Sequence, residues 1–316
     1  MQTIWVIGSF NADLVVGVQR FPDPGETLTG TSFETYFGGK GGNQAMALTR
    51  LGANPRVGGC VGNDSYGKDY KKTLETSGAD TDSLLISENE PTGTALIEVD
   101  ATGQNRIVVV PGANKTLTRE IAHTMLHRLK PGDLVLVQLE IPLDTVWHII
   151  ETVSPKHGVL ILDPAPAADI PQSLYSHITW ITPNEHEAHL LTGQDTSTTE
   201  GLLRAGEILL SRGVQNAVIK AGKNGAMVFQ TNSMNEHEAP VFVPGFPVDV
   251  IDTTAAGDTF NGAFAWGLAR GHSPGQSVLI ANAAAALSVT GKGAQEAMPT
   301  EAQVLKFLRQ QGISLT

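Results

Sequence analysis

Between Asp252 and Gly262 the chain reads Asp252-Thr253-Thr254-Ala255-Ala256-Gly257-Asp258-Thr259-Phe260-Asn261-Gly262, two carboxylates around a run of small residues. Phe260, Phe264 and Leu268 recur at helical spacing, so a helix is expected over Thr259 to Leu268. Small residues ahead of it leave backbone N–H groups free to crowd an anion at the positive end of the helix. Asp258 would stand beside that anion as a base, which is the equipment for moving a phosphoryl group onto an alcohol. The same aspartate could act as the helix N-cap, and the two roles are compatible.

Three further segments carry groups of use to such a reaction. Gly38-Gly39-Lys40-Gly41-Gly42-Asn43-Gln44-Ala45 has four glycines in five positions, which lets backbone approach a ligand, and Asn43 offers a donor and an acceptor to sugar hydroxyls. The run is not a Walker A loop, because Lys40 is followed by Gly41 rather than Ser or Thr, and no G-x-G-x-x-G occurs elsewhere. A flexible glycine turn into a helix would use the same residues. Gly8-Ser9-Phe10-Asn11-Ala12-Asp13 follows an apolar strand, and alternation aims Asn11 and Asp13 to one side, as polyol recognition needs; an Asx turn is the plain alternative. In Thr182-Pro183-Asn184-Glu185-His186-Glu187-Ala188-His189, Asn184 and Glu187 share a face at a helix start, where they could order water around a magnesium ion on nucleotide phosphates. His186 and His189 lack the spacing and third ligand of a zinc site.

Positioning these groups requires an α/β framework. Apolar runs at Ile4 to Gly8, Val57 to Val61, Leu134 to Leu139, Val159 to Leu162, Trp180 to Thr182, Ala217 to Lys220 and Ala226 to Phe229 read as strands. Amphipathic stretches at Asn43 to Leu51, Thr118 to Leu129, Leu143 to Val153, Leu202 to Arg212 and Gln276 to Val289 read as helices. Their alternation predicts a mostly parallel sheet flanked by helices, with ligands past the carboxyl ends of the strands. Segments 14–37 and 93–110 have strand composition without helices, and predict either edge hairpins or a small antiparallel β lid on a single domain spanning 1–316.

Bulk properties narrow the partners. A chain of 316 residues, 41% hydrophobic and 17% charged, can bury a large core, and a net charge of −11 speaks against nucleic acid or anionic membrane as partner. The lone cysteine, Cys60, excludes an internal disulfide and reads as a buried strand residue. With no signal peptide or long apolar span, a soluble cytoplasmic protein is expected.

Taken together the segments resemble the ribokinase branch of the phosphofructokinase-B carbohydrate kinases. The likeness runs from Gly8–Asp13 through Phe21-Pro22-Asp23-Pro24-Gly25-Glu26-Thr27, the glycine run, Asp163-Pro164-Ala165-Pro166-Ala167, Thr182-Pro183-Asn184-Glu185 and the Asp252–Gly262 signature to Gly291-Lys292-Gly293-Ala294-Gln295. It implies Asp258 as catalytic base and the backbone of Ala255, Ala256 and Gly257 as anion hole. Ribose would be held by Asn11, Asp13, Gly39, Lys40, Asn43, Glu140 and Asp252, with Asp258 beneath it. Asn184, Lys220, Gly222, Gly225, Gly257 and Asn282 would face ATP, with magnesium near Glu187. Potassium would sit on oxygens, mainly carbonyls, near Asp252, Thr254, Ser288, Gly291 and Gly293, and the lid would pair two subunits into a homodimer. Two departures stand out: Ala297 where a serine is common, and Lys220-Ala221 in place of a Thr-Leu pair. The activity implied is ATP-dependent phosphorylation of D-ribose at O5. A kinase for 2-deoxyribose or another pentose, and a sugar-binding sensor without catalysis, are the alternatives.

Overall fold

The computed structural model describes residues 2–232, 234 and 236–315. Chain order is β1 (Ile4–Ile7), β2 (Asn11–Gly17), β3 (Ser32–Gly38), α1 (Lys40–Arg50), β4 (Arg56–Gly62), α2 (Ser65–Thr76), β5 (Asp80–Ser87), β6 (Gly93–Val99) and β7 (Asn105–Val110). It continues with α3 (Arg119–Leu126), β8 (Leu134–Val137), α4 (Leu143–Val153), β9 (Val159–Leu162), β10 (Trp180–Ile181), α5 (Glu185–Thr192), α6 (Thr199–Ser211), β11 (Asn216–Lys220), β12 (Gly225–Phe229), β13 (Val241–Pro244), α7 (Ala256–Ala269), α8 (Pro274–Ser288) and α9 (Glu301–Gln310).

Nine strands form the main sheet in the order β13-β12-β11-β10-β9-β8-β1-β4-β5, parallel from β11 to β5 and antiparallel at β12 and β13. Apolar strands buried on both faces drive this arrangement. Along β1, Ile4 and Val6 join one apolar cluster with Leu48, Leu74, Phe264 and Val304, while Trp5 and Ile7 join another with Met125, Ile149, Leu191 and Leu209. Helices α1, α2, α7, α8 and α9 therefore cover one face, and α3 to α6 the other. Because the chain leaves β1 toward β4 and β5 and later returns to β8 on β1's other side, a crevice opens at the carboxyl ends of β1 and β8.

A second sheet, β3-β2-β6-β7, comes from the two segments without helices. Its outer pairs are antiparallel and its central pair, β2 with β6, is parallel. Phe33, Leu96, Ile107, Val108, Val109 and Val110 stand exposed on it.

The glycine run lies against the protein's own backbone. A Cβ at Gly41 would lie 2.7 Å from the Gly8 carbonyl carbon and 2.8 Å from Ser9 N, so this glycine lets α1 press on the chain leaving β1. Gly38 leaves room for the Asp13 carboxylate, and Gly39 has φ +81°. The run thus serves the protein's own close packing. Gly41→Ala is expected to destabilise the fold by about 1–3 kcal/mol through overpacking, read from urea unfolding.

Candidate active site

The carboxyl ends of β9, β10 and β11 and the start of α7 enclose a cleft of about 850 Å³, lined among others by Lys40, Asp163, Glu187, Lys220, Gly257 and Asp258. Helix α7 begins at Ala256, three residues before the expected start, and Ala255 is its N-cap residue with no side-chain cap. Asp258 is therefore not the cap. It lies within the first turn, 5% exposed. Ala255 holds φ 58°, a strained left-handed conformation for a residue with a Cβ. Ala256 N–H turns back to Thr253 O at 3.2 Å, whereas among the described residues Ala255 and Gly257 N–H have no intramolecular acceptor. An uncapped helix end with free N–H groups is a place for an anion.

Asp258 is held by two neighbours on α1. Asn43 Nδ2 donates to its Oδ2 at 3.0 Å and Gln44 Nε2 to its Oδ1 at 3.1 Å. Asn43 in turn accepts at Oδ1 from Gln295 Nε2 at 3.1 Å, and Gln295 also meets the Tyr70 hydroxyl at 2.7 Å. Burial pushes the Asp258 carboxyl up to about 6, with Asp163 and Glu140 adding to the rise and Lys40 and Asn43 opposing it.

On the crevice side, Glu140 Oε2 accepts from Lys40 N–H at 3.0 Å and from Ser9 Oγ at 2.6 Å. Asn11 and Asp13 open β2, a strand of the second sheet, rather than ending β1. Asn11 Oδ1 accepts from Asn114 Nδ2 at 2.8 Å, and the Asp13 carboxylate lies over Gly38. Burial, then Glu140, Asp258 and Glu296, push Asp13 up to about 7. A carboxyl raised in the fold binds protons more tightly than the unfolded chain does. Its ionisation therefore costs stability increasingly as pH rises from the unfolded value through about 7. Asp13→Asn is accordingly expected to raise Tm more at pH 8 than at pH 5, measured by thermal unfolding at both.

On the opposite side Lys220 Nζ meets Asp163 Oδ1 at 3.2 Å, both largely buried, and Asp163 Oδ2 accepts from Gln44 Nε2 at 2.9 Å. Asn184 and Glu187 form a reciprocal cap on α5: Asn184 Oδ1 accepts from Glu187 N–H and Glu187 Oε2 from Asn184 N–H, each at 2.8 Å. Burial raises the Glu187 carboxyl, helped by Asp163 and opposed by Lys220. Gly222 has φ +53° with open space around it, while a Cβ at Gly225 would strike Val243 O. Asn282 lines the cleft, and its amide donates to the Val243 and Pro244 carbonyls at 3.1 Å each. His189 Nδ1 lies 2.6 Å from Gln194 O, and among the described residues no group of three or more His, Cys, Asp or Glu could hold a metal ion.

Asp252 sits apart from the cleft lining and lashes two loops together. Its Oδ1 accepts from Thr254 N–H at 2.9 Å and Thr254 Oγ1 at 2.6 Å, and its Oδ2 from Gly293 N–H at 3.1 Å. Ser288 is buried and donates to Ala285 O at 2.9 Å. Gly291 and Gly293 follow on the facing loop, with Ala297 packed close against Gly291. Among the described residues, none of the hydrogen bonds that the Asp252 carboxylate accepts comes from Asn11, Asn43 or Lys40.

Sequence reasoning passed over Gln44, Asp163 and Gln295 as site residues. Asp163 follows the last residue of β9, where the parallel-sheet rule could have marked it. The two glutamines stand within informative runs, but nothing local gave them a role, because their partners lie far away in the chain.

Residues 1–301 match the pfkB family carbohydrate kinase profile. The chain is 39% identical over 308 residues to a ribokinase of Haemophilus influenzae, covering 97% of this chain and 98% of that one. It is 41% identical over 308 residues to a ribokinase of Bacillus subtilis, covering 98% and 100%. Among solved structures, Arabidopsis thaliana ribokinase complexed with ribose and ATP superimposes with a TM-score of 0.88 at 34% identity, covering 98% of this chain and 99% of that one.

Proposed function

The chain belongs to the pfkB family of carbohydrate kinases, and from that premise we propose that it phosphorylates D-ribose at O5, consuming ATP and releasing D-ribose 5-phosphate and ADP. The observation that carries the mechanism is a buried carboxylate, Asp258, in the first turn of an uncapped helix whose N–H groups open onto a large cleft. Asp258 accepts the proton of the sugar's primary hydroxyl as that oxygen attacks the γ-phosphorus. Backbone N–H groups of Ala255 and Gly257 and the cations Lys40 and Lys220 stabilise charge on the transferring group. Asn11, Asp13, Asn43, Glu140 and the backbone of Gly39 and Lys40 orient the sugar, and Asp252 supports the loop below it.

The nucleotide lies against Asn184, Lys220, Gly222, Gly225 and the α8 face bearing Asn282. The oxygen donor set suits a hard divalent ion: Glu187 would hold magnesium through water, and the ion supplies charge neutralisation on the phosphates. The Asp252–Gly293 bond keeps the 252–254 and 288–293 segments adjacent, which fits a potassium ion on oxygens of Asp252, Thr254, Ser288, Gly291 and Gly293. Residues 1–316 act as one catalytic unit, with the second sheet as lid. Its exposed Phe33, Leu96 and Val108 support pairing with a second copy. No described helix is long and apolar enough to cross a membrane, in keeping with a cytoplasmic setting.

The deciding experiment measures ADP release from magnesium ATP over ribose, 2-deoxyribose, other pentoses and hexoses, with and without potassium. Ribose as best acceptor supports the reading. Preference for 2-deoxyribose or another sugar reassigns the substrate, and ribose binding without turnover points to a sensor.

A further inference from the structure

Gln44 is fully buried in α1, and both hydrogens of its amide point at carboxylates: Asp258 Oδ1 at 3.1 Å and Asp163 Oδ2 at 2.9 Å. Its Oε1 accepts from Gln138 Nε2 at 2.6 Å. Gln138 follows β8, is likewise fully buried, and its own Oε1 has no hydrogen-bond partner among the described residues. That carbonyl faces Gly8, where an added Cβ would lie 2.0 Å from it. Only one sense of each amide is compatible with these contacts. Turning Gln44 over would set its carbonyl against two carboxylates, and turning Gln138 over would set carbonyl against carbonyl. An orphaned buried carbonyl is a burden on the core. Gln138 fixes the direction of Gln44 at that cost.

From this geometry we propose that Gln44 is a positioning residue for Asp258, with its amide sense set by Gln138, and that it joins the base to the Asp163–Lys220 pair. The inference rests on the phosphotransfer reading above. An amide suits the task because it donates a hydrogen bond without offering an acidic proton. Asp258 is thereby aimed yet left ionised, with lone pairs open toward an incoming hydroxyl. Asn43, directed by Gln295, does the same for the other oxygen. The charged groups facing Asp258 are Lys40 from α1, Glu140 beyond β8, Asp163 beyond β9, and Asp13 from β2.

The test uses the full chain as wild type, Gln44→Met, Gln138→Met and the double variant. Each is assayed for ribose-dependent ADP release from pH 5.5 to 8.5 and for thermal unfolding. Gln44→Met is expected to lower kcat by about 10- to 100-fold, as a small misplacement of a reacting group does. KM for ribose should change by less than about threefold, the pattern for an interaction made in the transition state. The acid midpoint of kcat/KM should rise by about one pH unit, since the carboxylate loses a donor. Gln138→Met should act in the same direction more weakly, and add nothing in the Gln44→Met background.

Full kcat with an unmoved midpoint in Gln44→Met would overturn the proposal. So would additive losses, or a loss that follows falling Tm while the midpoint stays put. Should Gln44→Met fail to fold, Gln138→Met decides alone, because it exchanges one orphaned carbonyl for another and should keep its Tm. A wild type active only on another sugar overturns the substrate reading alone, and the same variants on that sugar then judge Gln44. No turnover with any acceptor overturns both.

Discussion

Asp258→Asn is expected to lower kcat with ribose by about 10²–10⁴-fold, the range for loss of a positioned general base. Ribose affinity should stay near wild type, because the side chain keeps its size and Asn11, Asp13 and Glu140 keep their contacts. The variant also tests the two amides above it. Asn43 and Gln44 each donate to one oxygen of the carboxylate, so an amide at 258 must turn its own NH₂ toward one of them. One hydrogen bond becomes a donor–donor contact. The wild-type pH profile should rise through about 6 as buried Asp258 ionises, and that limb should vanish in the variant. The measurement is kcat by coupled ADP release together with ribose binding by calorimetry. Near-normal turnover would sink the proposed role of Asp258.

Lys40→Met carries the second large effect. Burial alone would lower the Lys40 pKa, but Asp258, Asp163, Glu140 and Glu187 surround it and hold it above its ordinary value. Lysine is thus the counter-charge to four buried or half-buried carboxylates. Without it their mutual repulsion moves onto Asp258, whose pKa rises further above 6. At pH 7 fewer molecules then hold an ionised base, and charge on the transferring phosphoryl loses a partner. Turnover per KM should fall by about 10²–10³-fold, as when a preorganised electrostatic contact is removed. Part of the loss should return at pH 9, where Asp258 ionises again. A pH profile of kcat/KM from 6 to 9 decides the matter. An unmoved acid limb would mean that Lys220 supplies the compensation instead.

Much of this site was legible in the chain because its chemistry is written in short runs. The Asp252–Gly262 and Gly38–Ala45 segments lie at helix starts, where a run of small residues stands out in the chain. The seven strands expected from apolar runs all form, since burial on both faces needs no partner information to be seen. Helices α2 and α9 and strands β5 and β13 gave weaker patterns. Strand β5 alternates buried and exposed residues irregularly, and β13 is an exposed edge with Val241 and Phe242 facing outward. What the glycines make room for was left open for a similar reason. Whether a missing side chain makes room for a ligand or for Gly8 depends on which segment lies opposite. Gln44 and Gln138 were invisible because an amide's role is set by partners up to 214 residues away.

That separation also orders the protein's birth. Asn43 and Asp258 stand 215 positions apart, and Asn43 and Gln295 stand 252 apart. At a ribosomal pace of about 5–20 residues per second, Asn43 emerges roughly ten to forty seconds before Asp258. Until then α1 has no carboxylate to receive its amides, and the crevice beside β1 lacks the helix that closes it. The joining of α7 to α1 is a late, long-range event, of the kind that slows folding. A nascent chain can hold most of its sheet and still be inert, so catalytic competence should arrive in one step once α7 and Gln295 have emerged.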